Sequence, residues 1–291
     1  MGSGFKDFAP GDILTAADVD GYLMRQTVMT FADASARDTA LSGVLDEGMV
    51  AYLEDSDYFT VYDGSAWQVF SNTPAYELVT FTSSGTFTKA SYPWGKSVRV
   101  RVVGGGGGSG GCEATGAGEI SIGAGGGGGG YAEERLAMSA LSASETVTIG
   151  AGGAGGAAGL NNGSTGGATA FGSFLTGSGG GGGGGGAAAT PDDAVSNPGG
   201  GGAASGGDIN VGGDFGRSGF AQATNRLYRS FGGGSVLGQA GGGNIVNQTG
   251  ADAVAGDNYG GGATGPVNGP SLSSRAGAAG GAGVVIVEIF G

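Results

Sequence analysis

The sequence predicts a mainly β protein in two parts. Residues 1–73 form a small α+β module, and residues 74–291 form a glycine-rich β domain in which polyglycine-II-like helices pack in layers. Three observations predict this. Of the 73 glycines in 291 residues, nine precede Gly104, so 73 − 9 = 64 fall from Gly104 onward, with tracts at 104–108, 125–130, 179–186 and 199–202. Between the tracts stand strand-like pieces: YAEERLAM, ETVTIG, GATAFGSF and GDINVGG. Finally, the apolar VVIVEIF at 284–290 must find partners, and SVRVRVV (97–103) and ELVTFT (77–82) are the candidates.

The N-terminal part has ordinary composition with a local charge of 3 − 12 = −9. Thr15 followed by Asp18 reads as a capping box, and Val19, Tyr22, Leu23 and Gln26 lie at helical spacing, which predicts a helix over 16–27. A second helix is expected over 35–41 with Ser35 as its cap. EGMVAYLEDSDYFTVYDGSAWQVF alternates across turn signals at 54–57 and 63–65, the pattern of a three-strand meander. Three short strands leave unpaired edges, so association with further copies or a larger assembly is expected, the alternative being a self-contained mini-domain packed on its own two helices.

The second part has too little Leu, Ile and Phe for a conventional core. A tether would be Gly-rich too, but it needs no apolar strand every 15 to 20 residues. Ordering each glycine costs about 1–2 kcal/mol, and one hydrogen bond returns about 0.5–1.5. A three-residue-per-turn helix without Cβ atoms must therefore bond to several neighbours at once, as in a hexagonal bundle. The tract spacing is irregular, a quasi-repeat with no fixed period.

Composition narrows function. The formal charge is −13, with no histidine and one cysteine, Cys112. Nucleic acid is not an expected partner, nor are zinc sites, histidine-dependent nucleophiles or an intrachain disulfide. No apolar run spans a bilayer, and the N-terminus carries no leader pattern, so synthesis in the cytoplasm without membrane insertion is expected.

VRVRVVGGGGGSGG, then GGGGGGYAEERLAMSALSASETVTIGAGGAGG and GATAFGSF, resembles the C-terminal glycine-rich domain of phage tail fibre and minor tail proteins. FAPGDILTAADVDGYLMRQTVMTFADASARDTAL with EGMVAYLEDSDYFTVYDGSAWQVF is similar to the attachment module that precedes such domains in tailed phages of actinobacteria. The resemblance implies a homotrimeric virion surface protein without a cofactor. It would join other virion proteins through residues 1–73 and adhere to a host cell-surface glycan or cell-wall polymer. A head fibre or capsid decoration protein has the same build, and a polysaccharide-cleaving tail spike is a further alternative.

Individual motifs say less. Gly106, Gly108 and Gly111 follow a strand with dinucleotide-loop spacing, but CEATGAGEI after them has no helical pattern, so chance in a Gly-rich chain explains them. Asp55 with Asp57, and Asp192 with Asp193, are carboxylate pairs in turn-like stretches and read as solvated turns, so no catalytic residue is expected. FAQATNRLYRSF, 220–231, combines aromatics with arginines. Arg226, Tyr228, Arg229 and Phe231 are the receptor-contact candidates, presented on a loop, with Tyr259 a further one; the alternative is that they fill gaps over glycine layers or an interface.

Overall fold

The computed structural model describes residues 11, 13, 15–19, 28–70, 75–191, 196–242, 245–246 and 250–291. The chain divides into two compact units, Met1–Pro74 and Ala75–Gly291.

In the N-terminal unit, Thr15 and Asp18 form the capping box over α1 (Ala16–Asp18), with Thr15 Oγ1 accepting from Asp18 N at 3.2 Å. The remainder of the helix expected over 16–27 lies outside the described residues. Strands β1 (Val28–Phe31), β2 (Val50–Leu53), β3 (Tyr58–Tyr62) and β4 (Trp67–Phe70) form one sheet in that order. The meander expected from alternation is β2–β4, and β1 adds to it in parallel with β2. A parallel pair needs a crossover, and α2 (Ala34–Ala40) is that crossover. Its cap is Asp33, whose carboxylate accepts from Ala36 N at 2.7 Å, rather than Ser35, which lies inside the helix.

The sequence expectation had no strand at VMTF: it assigned residues 28–31, between the helices expected over 16–27 and 35–41, to no element. One face of the sheet contributes buried Ala51, Leu53 and Thr60, with Leu41 and Met49 also buried. Arg37, likewise buried, donates to Thr60 Oγ1 at 3.2 Å and lies 4.3 Å over the Trp67 ring. The other face carries Val28, Phe59 and Phe70, all exposed.

The second unit begins as a β-sandwich. Its strands are β5 (Tyr76–Phe81), β6 (Gly85–Thr88), β7 (Ser97–Val103), β8 (Ser121–Ile122), β9 (Tyr131–Ala137), β10 (Ser144–Thr148), β11 (Thr169–Phe171), β12 (Leu175–Gly177), β13 (Ala204–Ser205), β14 (Ile209–Val211), β15 (Phe220–Ala223), β16 (Arg226–Tyr228), β17 (Ile245–Val246), β18 (Val267–Asn268) and β19 (Val284–Phe290). One sheet has the order β14-β9-β7-β19-β5, and the other β13-β12-β11-β10-β6. β19 lies between β7 and β5, antiparallel to both, so the C-terminal strand finds both of its expected partners.

Alternation puts Val98, Val100, Val102, Val285, Val287 and Ile289 on the inner face. They pack against Phe87, Val147, Phe171 and Leu175 of the second sheet. The opposite face of the first sheet is charged: Arg99 pairs with Glu133 at 2.6 Å, and Arg101 with Glu288 at 3.3 Å. Tyr131 donates to Glu133. Burial alone would raise the Glu133 carboxyl, but bonds from Tyr131 and Arg99 outweigh it and hold it below its ordinary value.

The glycine tracts begin where strands of this sandwich end, and they keep the strand register. The β7–β9 pairing, with Val103 opposite Tyr131, continues as Gly104, Gly107 and Gly110 donating to Gly130, Gly127 and Ala124 at 2.9, 2.8 and 3.0 Å. The β7–β19 pairing continues as Gly106, Ser109 and Cys112 donating to Gly281, Ala278 and Arg275 at 2.8, 3.0 and 2.9 Å. The β11–β12 and β12–β13 pairings carry on through Gly166 to Gly180 and Gly181 to Gly200 in the same way.

What changes is the number of neighbours. In the sandwich, side chains hold the sheets apart at a spacing of about 10 Å. In the tracts there is nothing to hold them apart, and the layers close until their backbones bond. Gly105, Gly108 and Gly111 donate across to Gly167, Ser164 and Asn161 at 2.9, 3.0 and 2.9 Å, and accept from Gly180, Gly183 and Gly186. Gly106, Ser109 and Cys112 accept from Gly153, Gly156 and Gly159, and Gly107 accepts from Ala263. Residues 104–112 are thus surrounded by 124–130, 161–167, 275–281, 180–186 and 153–159, each reached every third residue, and by a sixth segment that bonds at Ala263.

This is a hexagonal arrangement of three-residue-per-turn helices. The irregular tract spacing in sequence conceals a strict period of three in bonding. Ser109 fits the buried tract because its hydroxyl accepts from Ala278 N at 2.9 Å. The unit is mainly β with these helices as its interior.

Candidate functional site

The segment 220–231 is a hairpin, not the loop expected from sequence: β15 and β16 pair antiparallel with Phe220 opposite Tyr228 and a bulge near the turn. Period-two alternation then sorts its side chains. Leu227 and Arg229 point inward, Leu227 into a cluster with Ile120, Ile122 and Val267. Arg226 is exposed and Tyr228 half-buried. Tyr228 stacks on Phe220 at 4.2 Å between ring centroids and 9° between planes, with Phe220 58 % exposed.

Arg229 is therefore corrected as a receptor contact. It is only 7 % exposed, donates to the Asp252 carbonyl and to Thr264 Oγ1 at 3.1 Å, and holds the 250–264 segment in place. Burial pushes its guanidinium pKa down. Tyr259 also sits apart from the hairpin surface. It is half-buried against Val103, Tyr131 and Val284, and its carbonyl accepts from Ser235 Oγ.

Phe231 belongs with the hairpin. Below Phe220 and Tyr228 the ladder continues in register: Arg217 N donates to Phe231 O at 2.8 Å, and Asp214 N to Gly234 O at 2.9 Å. Phe231 is 44 % exposed and Phe215, between those rungs, is 72 % exposed. With Asp214, Arg217 and Gln239 they line an open groove of about 780 Å³ whose backbone lining includes Gly216, Gly232, Gly234 and Gly238. Sequence reasoning missed Phe215 and Arg217 because GGDFGRSG looks like more glycine filler. The available signal was a lone aromatic and a lone cation in a stretch with no core to join.

The other sequence motifs resolve structurally. Gly106, Gly108 and Gly111 are buried within the lattice, where no phosphate reaches them. Asp57 lies in the 54–57 turn and accepts from the Tyr52 hydroxyl at 2.6 Å, while Asp192 and Asp193 lie outside the described residues. Among the described residues no three Cys, His, Asp or Glu side chains cluster as a metal site, and no helix is long and apolar enough to cross a membrane.

A family model described as a glycine-rich domain matches residues 82–290, which spans the sandwich apart from β5, the lattice and the hairpin. The chain belongs to this glycine-rich domain family. No curated protein matches it significantly. In this glycine-rich domain, the lattice offers backbone alone and leaves recognition to side chains at its margin, of which the 214–231 ladder carries the densest aromatic and cationic set.

Proposed function

We propose that this chain is a non-enzymatic structural protein of a phage virion, a tail fibre or minor tail protein that projects from the particle and adheres to the host surface. The N-terminal unit is its attachment module, and the glycine-rich domain its distal body, assembled as a homotrimer. The observation that carries the reading is the 214–231 ladder: exposed aromatics and arginines on a backbone pinned to a rigid lattice. A scaffold bonded through main-chain groups tolerates changes at its margin, which suits surface recognition. The resemblance of residues 1–73 to virion-attachment modules supports the position on the particle.

Antibody raised against residues 75–291 should label the tail of intact particles, and labelling confined to the capsid rejects the tail assignment. Arg226→Ala combined with Tyr228→Ala should reduce host adsorption at least several-fold without lowering particle yield. Unchanged adsorption removes the hairpin as a contact.

A further inference from the structure

Building on the adhesive reading, we propose that the groove between Phe215 and Phe231 is a binding site for a neutral pyranose oligosaccharide. Residues that merely fill gaps over glycine layers become buried, as Leu227 and Arg229 do in the same hairpin. Phe215 at 72 % and Phe231 at 44 % exposure do not. Two phenyl faces held in water are an unfavourable arrangement for folding alone, and the C–H face of a pyranose is the complement they fit.

The platforms are fixed before any ligand arrives. The chain on either side of Phe215 is tied at Asp214 N to Gly234 O and at Arg217 N to Phe231 O, and Gly233 N donates to Gly126 O at 2.8 Å in the lattice beneath. Little ordering entropy remains to oppose binding. Asp214, Arg217 and Gln239 supply acceptors and donors for ring hydroxyls at the same opening, and its volume of about 780 Å³ is within the usual range for small-molecule sites.

Charge selects the class of sugar. Asp214 and Arg217 offset one another locally, and residues 74–291, which hold the groove, carry 9 − 13 = −4. Among the described residues that line the groove Arg217 is the one cation, and Asp214 offsets it, so a polyanionic glycan meets a net negative field that a neutral chain does not feel.

The test is the full-length protein on an array of neutral hexose, N-acetylhexosamine and uronate oligosaccharides. Binding confined to neutral pyranosides, reduced at least tenfold by Phe215→Ala and by Phe231→Ala and retained by Phe215→Trp, is expected. Three results overturn the proposal: no neutral glycan bound, neutral binding unaffected by either alanine variant, or binding only to uronates that is lost in Arg217→Ala. Sedimentation of the same variants closes the remaining route, since conversion of an oligomer to monomers by Phe215→Ala makes the groove a contact between copies and overturns it as well. Host adsorption measured alongside separates the two readings. If adsorption survives in Phe215→Ala while array binding is absent, the groove is rejected and the adhesive role stands.

Discussion

Replacing Gly107 with alanine tests the lattice at its centre. A Cβ on Gly107 would stand 2.0 Å from Gly181 O, while real Cβ contacts essentially never fall below 3.0 Å, so one segment must retreat by at least 3.0 − 2.0 = 1.0 Å. Gly181 O is the acceptor for Gly127 N at 2.8 Å, and Gly107 N itself donates to Gly127 O at 2.8 Å. A retreat of that size stretches either bond beyond hydrogen-bonding distance.

Two buried amide groups then lose partners, at about 1–3 kcal/mol each. Alanine returns only about 0.4–1 kcal/mol through the unfolded chain. The net loss is about 1–6 kcal/mol, and at 2–4 °C per kcal/mol for a unit of this size the melting temperature falls by roughly 2–22 °C. Gly200→Ala is the internal control: its Cβ would meet only a Phe215 ring carbon at 3.9 Å, so this variant should melt at or slightly above the parent. Scanning calorimetry on the two variants decides the matter. If Gly107→Ala melts at or above the parent, the tight lateral bonding described here is wrong.

Arg229→Ala should destabilise the glycine-rich domain by about 1–3 kcal/mol in denaturant unfolding, since it strips the Asp252 carbonyl of its buried donor; Arg226→Ala should leave stability unchanged. Burial, and then the bond to Glu133, push the Tyr131 hydroxyl up to about 12. Because the folded value lies above the unfolded one, its stabilising contribution is complete below pH 10 and is lost as pH rises from 10 towards 12. Stability in Tyr131→Phe should accordingly fall less over that window, and a phenolate absorbance titration should show one fewer late-ionising tyrosine in the variant than in the parent, where Tyr52, Tyr76 and Tyr92 are also shifted upward. In hydrogen exchange, Gly180 and Gly183, whose amides donate to Gly105 and Gly108 at 2.9 Å each, should be protected far beyond values typical of a linker. Exchange of these two at random-coil rates would contradict the fold.

Much of this was legible in the sequence. An apolar terminal strand in a chain so poor in other core residues has few possible mates, and the alternation of SVRVRVV and ELVTFT named them. That the tracts pack also followed, because a single pair of hydrogen-bonded glycine helices cannot offset its own ordering entropy. Which tract bonds to which did not follow: glycine carries no side chain by which one segment could be told from another, and the register is inherited from flanking strands.

A local clue was nevertheless present in AGGAGGA at 151–157, where Ala151, Ala154 and Ala157 face solvent while Gly153 and Gly156 are buried. That is the three-residue period written in side chains. The hairpin was misread for a related reason. NRLYR was taken as a loop, although alternation with Leu227 and Arg229 inward was there to be read, and so a buried arginine was assigned to the surface.

The threefold bonding rule constrains how such a protein can change length. Removing one residue from the 179–186 tract turns everything downstream by a third of a revolution, so that each amide is offered to a different neighbour. Removing three restores the phase and shortens the body by about 9 Å at the polyglycine rise. Insertions and deletions within the tracts should thus be tolerated in multiples of three, with matched changes in the adjoining helices, and rejected otherwise. The reach of the body is in this sense quantised, and descendants of this sequence should differ in tract length by whole turns.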